Sequence, residues 1–311
     1  MAKFFWGLIK ATRPRQWVKN LSLFAGLIFS RQLDNSDALF TIIKCFIVFS
    51  GLTSAVYLLN DVFDIERDRL HPFKRNRPIA SGLISVNFAI TFSLVLIFFL
   101  LPLSFKISPA FFLACVAYLT LQILYSAYLK SLILIDVMAI AAGFVLRIYA
   151  GVWTIDAHLN VWFLLTVTSF ALFLAIGKRR SELTLMQSTL AGKHRETLLH
   201  YPENLLDILT SMFANSTWLA YALFAFLQPP IYARQRLIGL FDNFSLPFTQ
   251  AKYLMATVPV VIYGVMRYLY IIYEKKEGES PERVLLTDRP LLVSVILWLV
   301  MVITIIYYLG T

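Results

Sequence analysis

This 311-residue sequence contains nine apolar segments, each close to the length that crosses a lipid bilayer. A helix needs roughly 20 predominantly apolar residues to span the hydrocarbon core. The chain is 59% hydrophobic and only 15% charged, which is outside the range of soluble domains. We therefore predict an all-α integral membrane protein with nine transmembrane helices. The predicted spans are residues 17–32, 39–60, 86–103, 109–127, 132–152, 161–177, 212–230, 253–273 and 291–309.

The Lys and Arg residues predict how the chain is oriented. Of 28 such residues, 20 lie in the N-terminal segment and in one alternating set of connections, and five lie in the other set. Cytoplasmic loops carry the excess of Lys and Arg, so the N-terminus and the charged clusters are predicted to be cytoplasmic, in the plasma (inner) membrane. Residues 1–16 are predicted to form an amphipathic surface helix. Because no linker or repeat interrupts the chain, we expect one domain over residues 1–311.

An acidic motif follows the second predicted span directly. Asp61, Asp64 and Asp68 are spaced i, i+3, i+7, which places all three carboxylates on one face of an α-helix. Carboxylates that close repel one another unless a cation holds them. Their hard oxygen ligands suit Mg²⁺, with Mn²⁺ as a substitute. The motif therefore predicts a divalent metal site at the end of this span.

Basic residues follow the acidic motif within nine residues. Lys74, Arg75 and Arg77 come after Asp68 in a loop that ends in Pro-Ile-Ala-Ser-Gly. Carboxylates for a metal ion and cations for phosphate oxygens are together what a metal-bridged polyphosphate requires. The alternative is an ordinary polar membrane boundary, which explains neither the three stacked acids nor the form of the loop. The net charge of +10 is then explained by membrane topology and anionic substrates, and no nucleic acid partner is expected.

Further candidate residues lie near the predicted cytoplasmic ends of other spans. Anchoring at the membrane boundary explains Arg13 and Arg15 well, but it explains Lys19, which is followed by Asn20, less well. Lys130 is the one charge in a very short turn.

The fifth predicted span contains Asp136 and Arg147. Ionisable groups inside a membrane are costly and usually face the interior of the bundle. The two residues are eleven apart, so they share a face but are too distant to pair. Asp136 is the stronger site candidate, and for Arg147 a structural role and a substrate-binding role both stay open.

A second basic cluster ends the sixth predicted span. Lys178 and Glu182 are four residues apart and fit either a surface ion pair or, with Arg179, a second phosphate-binding group. Asp288 precedes the last span, where we expect it to cap the helix.

Taken together, these segments resemble the UbiA superfamily of intramembrane prenyltransferases. Asn60-Asp61 through Asp68 matches the superfamily's first aspartate motif, NDxxDxxxD, without a gap. Within the superfamily, the chain resembles the branch of decaprenyl-phosphate phosphoribosyltransferases. The segments that carry this likeness are residues 13–20, 71–82, 178–183 and 281–290.

One departure separates this chain from aromatic prenyltransferases. Those enzymes carry a second acidic motif, DxxxD, after the sixth span, for a second Mg²⁺. Here the same place reads Lys178-Arg179-Arg180-Ser181-Glu182. Cations in place of carboxylates turn a metal site into an anion site.

The resemblance implies a UbiA-like bundle with a cytoplasmic-side active site. It implies transfer of 5-phosphoribose from phosphoribosyl diphosphate to a polyprenyl phosphate in the membrane lipid, with Mg²⁺ as cofactor and diphosphate released. Asp61, Asp64 and Asn60 would be catalytic, with Asp68 as a further metal ligand and Asn60 on the metal or on a ribose hydroxyl. The expected substrate-binding residues are Arg15, Lys19, Lys74, Arg75, Arg77, Lys130, Asp136, Arg147, Lys178, Arg179 and Glu182.

Two other functions stay open at this stage. One is an aromatic-acceptor prenyltransferase that uses a prenyl diphosphate, which the missing second motif disfavours. The other is a lipid transporter, which would distribute charges along a transmembrane path rather than at one end. The sequence also leaves the prenyl chain length and the oligomeric state open, a homo-oligomer included.

Overall fold

A computed structural model describes residues 2–70, 74–188, 201–229, 252–275 and 281–309. These residues form helices and their connections and contain no β-strand, which confirms the all-α prediction. The chain divides into two compact units. The described residues of the first unit are 2–27, 32–70 and 74–158, and those of the second unit are 28–31, 159–188, 201–229, 252–275 and 281–309.

The first unit is built around its longest helix, α3. The α-helices that lie in it or enter it are α1 (Ala2–Thr12), α2 (Phe24–Phe29), α3 (Ser36–Phe63), α4 (Ile65–Leu70), α5 (Val86–Ile107), α6 (Pro109–Ala127) and α7 (Ile135–Thr154). Short 3₁₀ helices cover Pro14–Leu23, Lys74–Asn76 and Leu129–Ser131. Asn35 caps α3, since its side chain accepts hydrogen bonds from the backbone of Asp37 and Ala38. Helix α3 packs against α5, α6 and the first 3₁₀ helix.

The second unit contains the remaining α-helices of the described residues. They are α8 (Val161–Ser188), α9 (Glu203–Leu227), α10 (Val258–Tyr270), α11 (Pro281–Thr287) and α12 (Arg289–Ile303). A 3₁₀ turn, Tyr253–Thr257, precedes α10, and π-helical turns, Ile271–Lys275 and Thr304–Leu309, extend α10 and α12. Helix α8 packs along α9, and α10 packs on both α9 and α12. Phe173, Tyr268 and Ile272 are buried in the core between these helices.

Eight helical segments of the described residues are long and apolar enough to cross a membrane. They are Ser36–Phe63, Val86–Ile107, Pro109–Ala127, Ile135–Thr154, Val161–Thr184, Glu203–Leu227, Tyr253–Lys275 and Arg289–Leu309. Each corresponds to one predicted span. Helix α9 begins nine residues before its prediction, because the polar residues Glu203 and Asp207 form its first turns.

The first predicted span, residues 17–32, is not one continuous helix. It consists of the 3₁₀ helix Pro14–Leu23 followed by the six-residue helix α2. Pro14 begins this 3₁₀ helix, and Arg13 before it has a left-handed backbone, so α1 ends at Thr12 rather than at the predicted residue 16. The count of nine is therefore not confirmed, and a membrane crossing at this segment stays a prediction.

Polar side chains hold the first 3₁₀ helix against α3. Trp17 donates from Nε1 to Ser54 Oγ at 3.0 Å, and Ser54 Oγ is 3.0 Å from the carbonyl oxygen of Thr12. Asn20 is buried and donates to Thr53 Oγ1 at 3.2 Å. Hydrogen bonds to side chains on α3 thus hold a 3₁₀ helix at a place where the hydropathy pattern predicted a regular membrane-spanning helix.

Arg147 joins three elements of the first unit in a buried network. Its Nε donates to Asn20 Oδ1 at 3.0 Å, and its Nη2 donates to the Tyr118 hydroxyl at 2.8 Å. Its Nη1 donates to the carbonyl oxygen of Gly143 at 2.9 Å. The guanidinium also lies over the Tyr118 and Phe144 rings. Because all three nitrogens have partners in the protein, these contacts favour the structural role over substrate binding.

We expect Arg147→Met to destabilise the protein strongly. Loss of the guanidinium leaves Asn20 and Tyr118 buried without their partner, at a cost of about 1–3 kcal/mol for each buried group. The measurement is the thermal unfolding midpoint of the purified protein in detergent. Lys44→Met is the matched control, since Lys44 is an exposed cation within α3. Equal midpoints for the two variants would show that the network contributes little.

Gly151 allows α7 to approach the first 3₁₀ helix closely. A Cβ atom built on Gly151 would lie 2.0 Å from the carbonyl oxygen of Leu23, which is backbone and has little freedom to move. We expect Gly151→Ala to lower the unfolding midpoint, with a cost of about 1–3 kcal/mol from overpacking. Gly264→Ala in α10 is the control, because its Cβ would meet only Ser294 Oγ at 3.7 Å. An unchanged midpoint for Gly151→Ala would contradict this packing.

Candidate active site

The acidic motif lies where α3 ends. Asp61 is in the last turn of α3, Asp64 follows the helix with φ −96° and ψ 8°, and Asp68 is in α4. The backbone N–H of Asp64 donates to the Asn60 carbonyl oxygen at 2.9 Å, and that of Asp68 donates to the Asp64 carbonyl oxygen at 2.8 Å. These hydrogen bonds continue the helical pattern across the junction of α3 and α4 at Asp64, so the three aspartates lie on successive turns.

Arg77 bridges two of the three carboxylates. Its Nη1 donates to Asp61 Oδ1 at 3.1 Å and to Asp68 Oδ2 at 2.6 Å. The side chains of Asp61 and Asp68 are only 3% and 6% exposed. Burying a carboxylate without a counter-charge is costly, and Arg77 offsets this cost for both. The loop that carries Arg77 is held by Arg69, whose Nε donates to the carbonyl oxygen of Ala80 at 3.3 Å.

Arg13 is a second cation on Asp61. Its Nη2 donates to the same oxygen, Oδ1, that Arg77 contacts. Its guanidinium lies 5.0 Å from the centre of the Tyr57 ring, one turn before Asp61 on α3. The prediction for Arg13 was membrane anchoring, and it did not include this contact. The two residues are 48 positions apart, so no local spacing could have indicated it.

Asp64 differs from the other two aspartates in exposure and in partner. Its side chain is 33% exposed, and its Oδ1 accepts a hydrogen bond from Lys130 Nζ at 2.9 Å. Lys130 lies in the 3₁₀ turn after α6, so a third segment reaches the motif. Lys130 was predicted to bind a substrate phosphate, which stays a prediction, and its contact with Asp64 was not predicted.

Asn60 contacts Ser126, which was not among the predicted site residues. A hydrogen bond joins Ser126 Oγ to Asn60 Oδ1, and Ser126 Oγ also lies 2.9 Å from the carbonyl oxygen of Gln122. Ser126 is buried near the end of α6. It fixes the orientation of the Asn60 amide beside the aspartates.

The three aspartates and their three cations balance in charge. The structure modifies the prediction of a single acidic face, because Asp61 and Asp68 are buried around Arg77 whereas Asp64 is partly exposed and faces Lys130. Within the described part of the chain, no group of three or more His, Cys, Asp or Glu side chains lies close enough together to hold a metal ion. The donor chemistry nevertheless fits one, since two carboxylate oxygens already flank a single cationic nitrogen.

The remaining predicted residues of the first unit differ in their burial, and burial by itself does not assign them a part in the site. Arg15 and Arg75 are exposed, and Lys19 and Lys74 are half-buried in 3₁₀ helices. Asp136 is fully buried in the first turn of α7, where the helix dipole favours a carboxylate. Their roles stay predictions.

The second basic cluster belongs to the second unit. Arg179 is almost fully buried and pairs with Glu182, and Lys178 Nζ lies 3.8 Å from the other oxygen of Glu182. Arg180 points elsewhere and donates to Asp207 Oδ1 at 2.6 Å. The predicted pair of Lys178 and Glu182 is present, and Arg179 joins it.

Asp288 caps α12, as predicted. It accepts a hydrogen bond from the Leu291 N–H at 3.1 Å, two from Arg267 at 3.0 and 2.9 Å, and one from Lys275 at 2.8 Å. The hydrogen bonds from Arg267 hold the pKa of the Asp288 carboxyl well below its usual range. This network joins α10, its π-helical turn and the start of α12 within the second unit.

Similarity to known proteins agrees with this arrangement. The UbiA prenyltransferase family matches residues 21–286. A decaprenyl-phosphate phosphoribosyltransferase of Corynebacterium glutamicum is 34% identical over 311 aligned residues, which cover 97% of this chain and 87% of the relative. The enzyme of the same name from Mycolicibacterium smegmatis is 32% identical, over 94% of this chain and 90% of the relative.

Solved structures show the same fold. A UbiA homologue from Archaeoglobus fulgidus, bound to GPP and Mg²⁺, superposes with a TM-score of 0.70 at 21% identity, covering 96% of this chain and 99% of that one. The match to the family and the two relatives cover nearly all of the sequence, including the acidic motif. The chain therefore belongs to the UbiA prenyltransferase family and is a multi-pass membrane transferase.

Proposed function

We propose that this protein transfers 5-phosphoribose from phosphoribosyl diphosphate to a polyprenyl phosphate, with Mg²⁺ as cofactor and diphosphate as leaving group. The reaction takes place at the cytoplasmic face of the plasma membrane. The observation that carries the proposal is the acidic motif with a cation on each carboxylate: Arg13 and Arg77 on Asp61, Arg77 on Asp68, and Lys130 on Asp64. The names of the two relatives support the same reaction.

The difficult step is the departure of diphosphate from C1 of the ribose. The C1–O bond breaks, and its electron pair leaves with the diphosphate while positive charge develops on the sugar. Mg²⁺ held by Asp61, Asp64 and Asp68 would supply positive charge that stabilises the leaving group. Arg77 and Lys130, which lie on these carboxylates, would donate hydrogen bonds to the phosphate oxygens. The related A. fulgidus homologue binds Mg²⁺ together with GPP, which supports a divalent ion.

The acceptor needs no general base. The phosphate of a polyprenyl phosphate is already ionised near neutral pH, so its oxygen forms the new bond to C1 without losing a proton. Consistent with this, the described contacts around the motif involve carboxylates, guanidiniums, an ammonium, an amide and a hydroxyl. The prenyl tail would lie among the apolar spans.

The second basic cluster supports a phosphate-bearing substrate rather than a second metal. Lys178 and Arg179 occupy the place of the second acidic motif of aromatic prenyltransferases. Lys178 is 39% exposed, which leaves it accessible to an anion. We assign Lys178 and Arg179 to the 5-phosphate or the lipid phosphate, which is also the role predicted for Lys19 from the sequence. Lys74 and Arg75 are assigned to the donor's phosphates.

We expect Asp61→Asn and Asp64→Asn each to lower Mg²⁺-dependent turnover by about 100-fold or more, because each removes a ligand charge from the metal. The measurement is the initial rate of lipid product formation over a range of Mg²⁺ concentrations. Asp37→Asn is the control, since Asp37 is an exposed acid at the other end of α3. Near-normal turnover in both active-site variants would refute the metal assignment.

The substrate pair is tested by mass spectrometry of the lipid product. The purified protein is given a polyprenyl phosphate with phosphoribosyl diphosphate and, separately, an aromatic acid with a prenyl diphosphate. We expect a product only in the first reaction, heavier than the acceptor lipid by one phosphoribosyl group. A prenylated aromatic product would instead establish the other branch of the family.

A further inference from the structure

Arg13 is held in a backbone conformation that arginine rarely adopts. Its φ of 53° and ψ of 59° lie in the left-handed region, between the end of α1 and the first 3₁₀ helix. Glycine occupies this region without steric cost, whereas a side chain there is strained. Strain of this kind persists where the surrounding structure holds it and is often found at functional sites. The side chain at this position therefore needs an explanation.

Docking of the N-terminal segment does not provide that explanation. The segment is attached to α3 on both sides of Arg13 by other groups: the Thr12 carbonyl oxygen and Trp17 both contact Ser54. Asn20 adds a buried hydrogen bond to Thr53. Because these contacts fix the segment, the guanidinium is available for another role.

Asp61 can release Arg13 more readily than it can release Arg77. Both guanidiniums contact the same oxygen of Asp61, so this oxygen carries two cations. Arg77 is also bound to Asp68 at 2.6 Å, so it has two carboxylate partners, whereas Asp61 is the one carboxylate among the described contacts of Arg13. The side chains of Arg13 and Arg77 are 25% and 29% exposed, whereas that of Asp61 is only 3% exposed. An anion arriving from solution therefore meets a guanidinium before it meets the carboxylate, and of the two guanidiniums Arg13 has the fewer carboxylate partners.

Charge determines what Arg13 does when a divalent ion binds the carboxylates. A metal ion on Asp61 and the guanidinium of Arg13 would repel each other at close range. Phosphate oxygens beside the metal remove this repulsion, because the planar guanidinium can donate two parallel hydrogen bonds to them. Stacking on Tyr57 keeps the guanidinium in place during this exchange.

We infer that Arg13 is a substrate-binding residue that contacts the donor's diphosphate. When metal and diphosphate bind together, Arg13 leaves Asp61 and binds the diphosphate instead. The inference rests on the proposed function. It makes the binding of metal and of diphosphate mutually dependent: each favours the other by the same factor.

The test uses Arg13→Gly, which retains the left-handed backbone without strain and removes only the side chain. Binding of inorganic diphosphate to the purified full-length protein is measured by calorimetry in saturating Mg²⁺. We expect at least about tenfold weaker binding by the variant, the loss of one charge-assisted contact. Binding of Mn²⁺ alone, followed by its electron spin resonance signal, should become tighter, since a competing cation has left Asp61. Tighter Mn²⁺ binding follows from the loss of the ion pair alone, and damage to the structure would weaken the binding of both ligands. Weaker diphosphate binding together with tighter Mn²⁺ binding therefore requires that Arg13 contact the diphosphate.

Lys10→Ala is the matched control, because it removes one exposed positive charge from the same segment and should leave both affinities unchanged. Equal diphosphate affinity in Arg13→Gly and the wild type would overturn the inference while leaving the proposed function intact. If the wild type itself fails to bind diphosphate in Mg²⁺, the proposed function fails and the inference fails with it. Equal losses of diphosphate affinity in Arg13→Gly and Lys10→Ala would show that the effect comes from net charge alone, and this result would also overturn the inference.

Discussion

Two buried carboxylates at the end of a membrane-spanning helix require counter-charges, and the first unit is arranged to provide them. Asp61 and Asp68 are nearly inaccessible, and both contact Arg77. Arg13 reaches Asp61 from the N-terminal segment, and Lys130 reaches Asp64 from the turn after α6. Uncompensated, such charges would be costly away from water. Three connections, two of them distant in sequence, are thereby brought to the end of α3.

A buried charge also requires partners deeper in the first unit. Arg147 is buried within a span, and Asn20, Tyr118 and a backbone carbonyl oxygen satisfy its three nitrogens. Asn20 belongs to the 3₁₀ helix whose start is formed by Arg13 and Pro14. The packing of that helix thus connects a structural cation inside the membrane with the cation on Asp61. Stability and, by our inference, substrate recognition therefore depend on one short segment of chain.

Hydropathy was sufficient to predict most of the fold. Eight predicted spans correspond to helices of spanning length, because burial in lipid demands long apolar helices that satisfy their own backbone. It did not predict the form of residues 17–32, a 3₁₀ helix followed by a short α-helix. The apolar average there concealed Trp17 and Asn20, whose side chains form hydrogen bonds to α3. The acidic motif was found from residue type and spacing, and Lys130 was singled out as the one charge in a short turn, but its contact with Asp64 was not predicted. Arg13 and Ser126 were missed because their partners are 48 and 66 residues away.

The sequence by itself determined the membrane class, the helical architecture and the acidic motif with its family. Each of these depends on residue types repeated or spaced along a continuous stretch of chain. Only the tertiary structure decided which cation lies on which carboxylate, that Asp64 is partly exposed whereas Asp61 and Asp68 are buried, and that Arg147 is fully bonded within the protein. These facts depend on how segments that are far apart in sequence pack together, and the residue pattern within a single segment does not predict this packing.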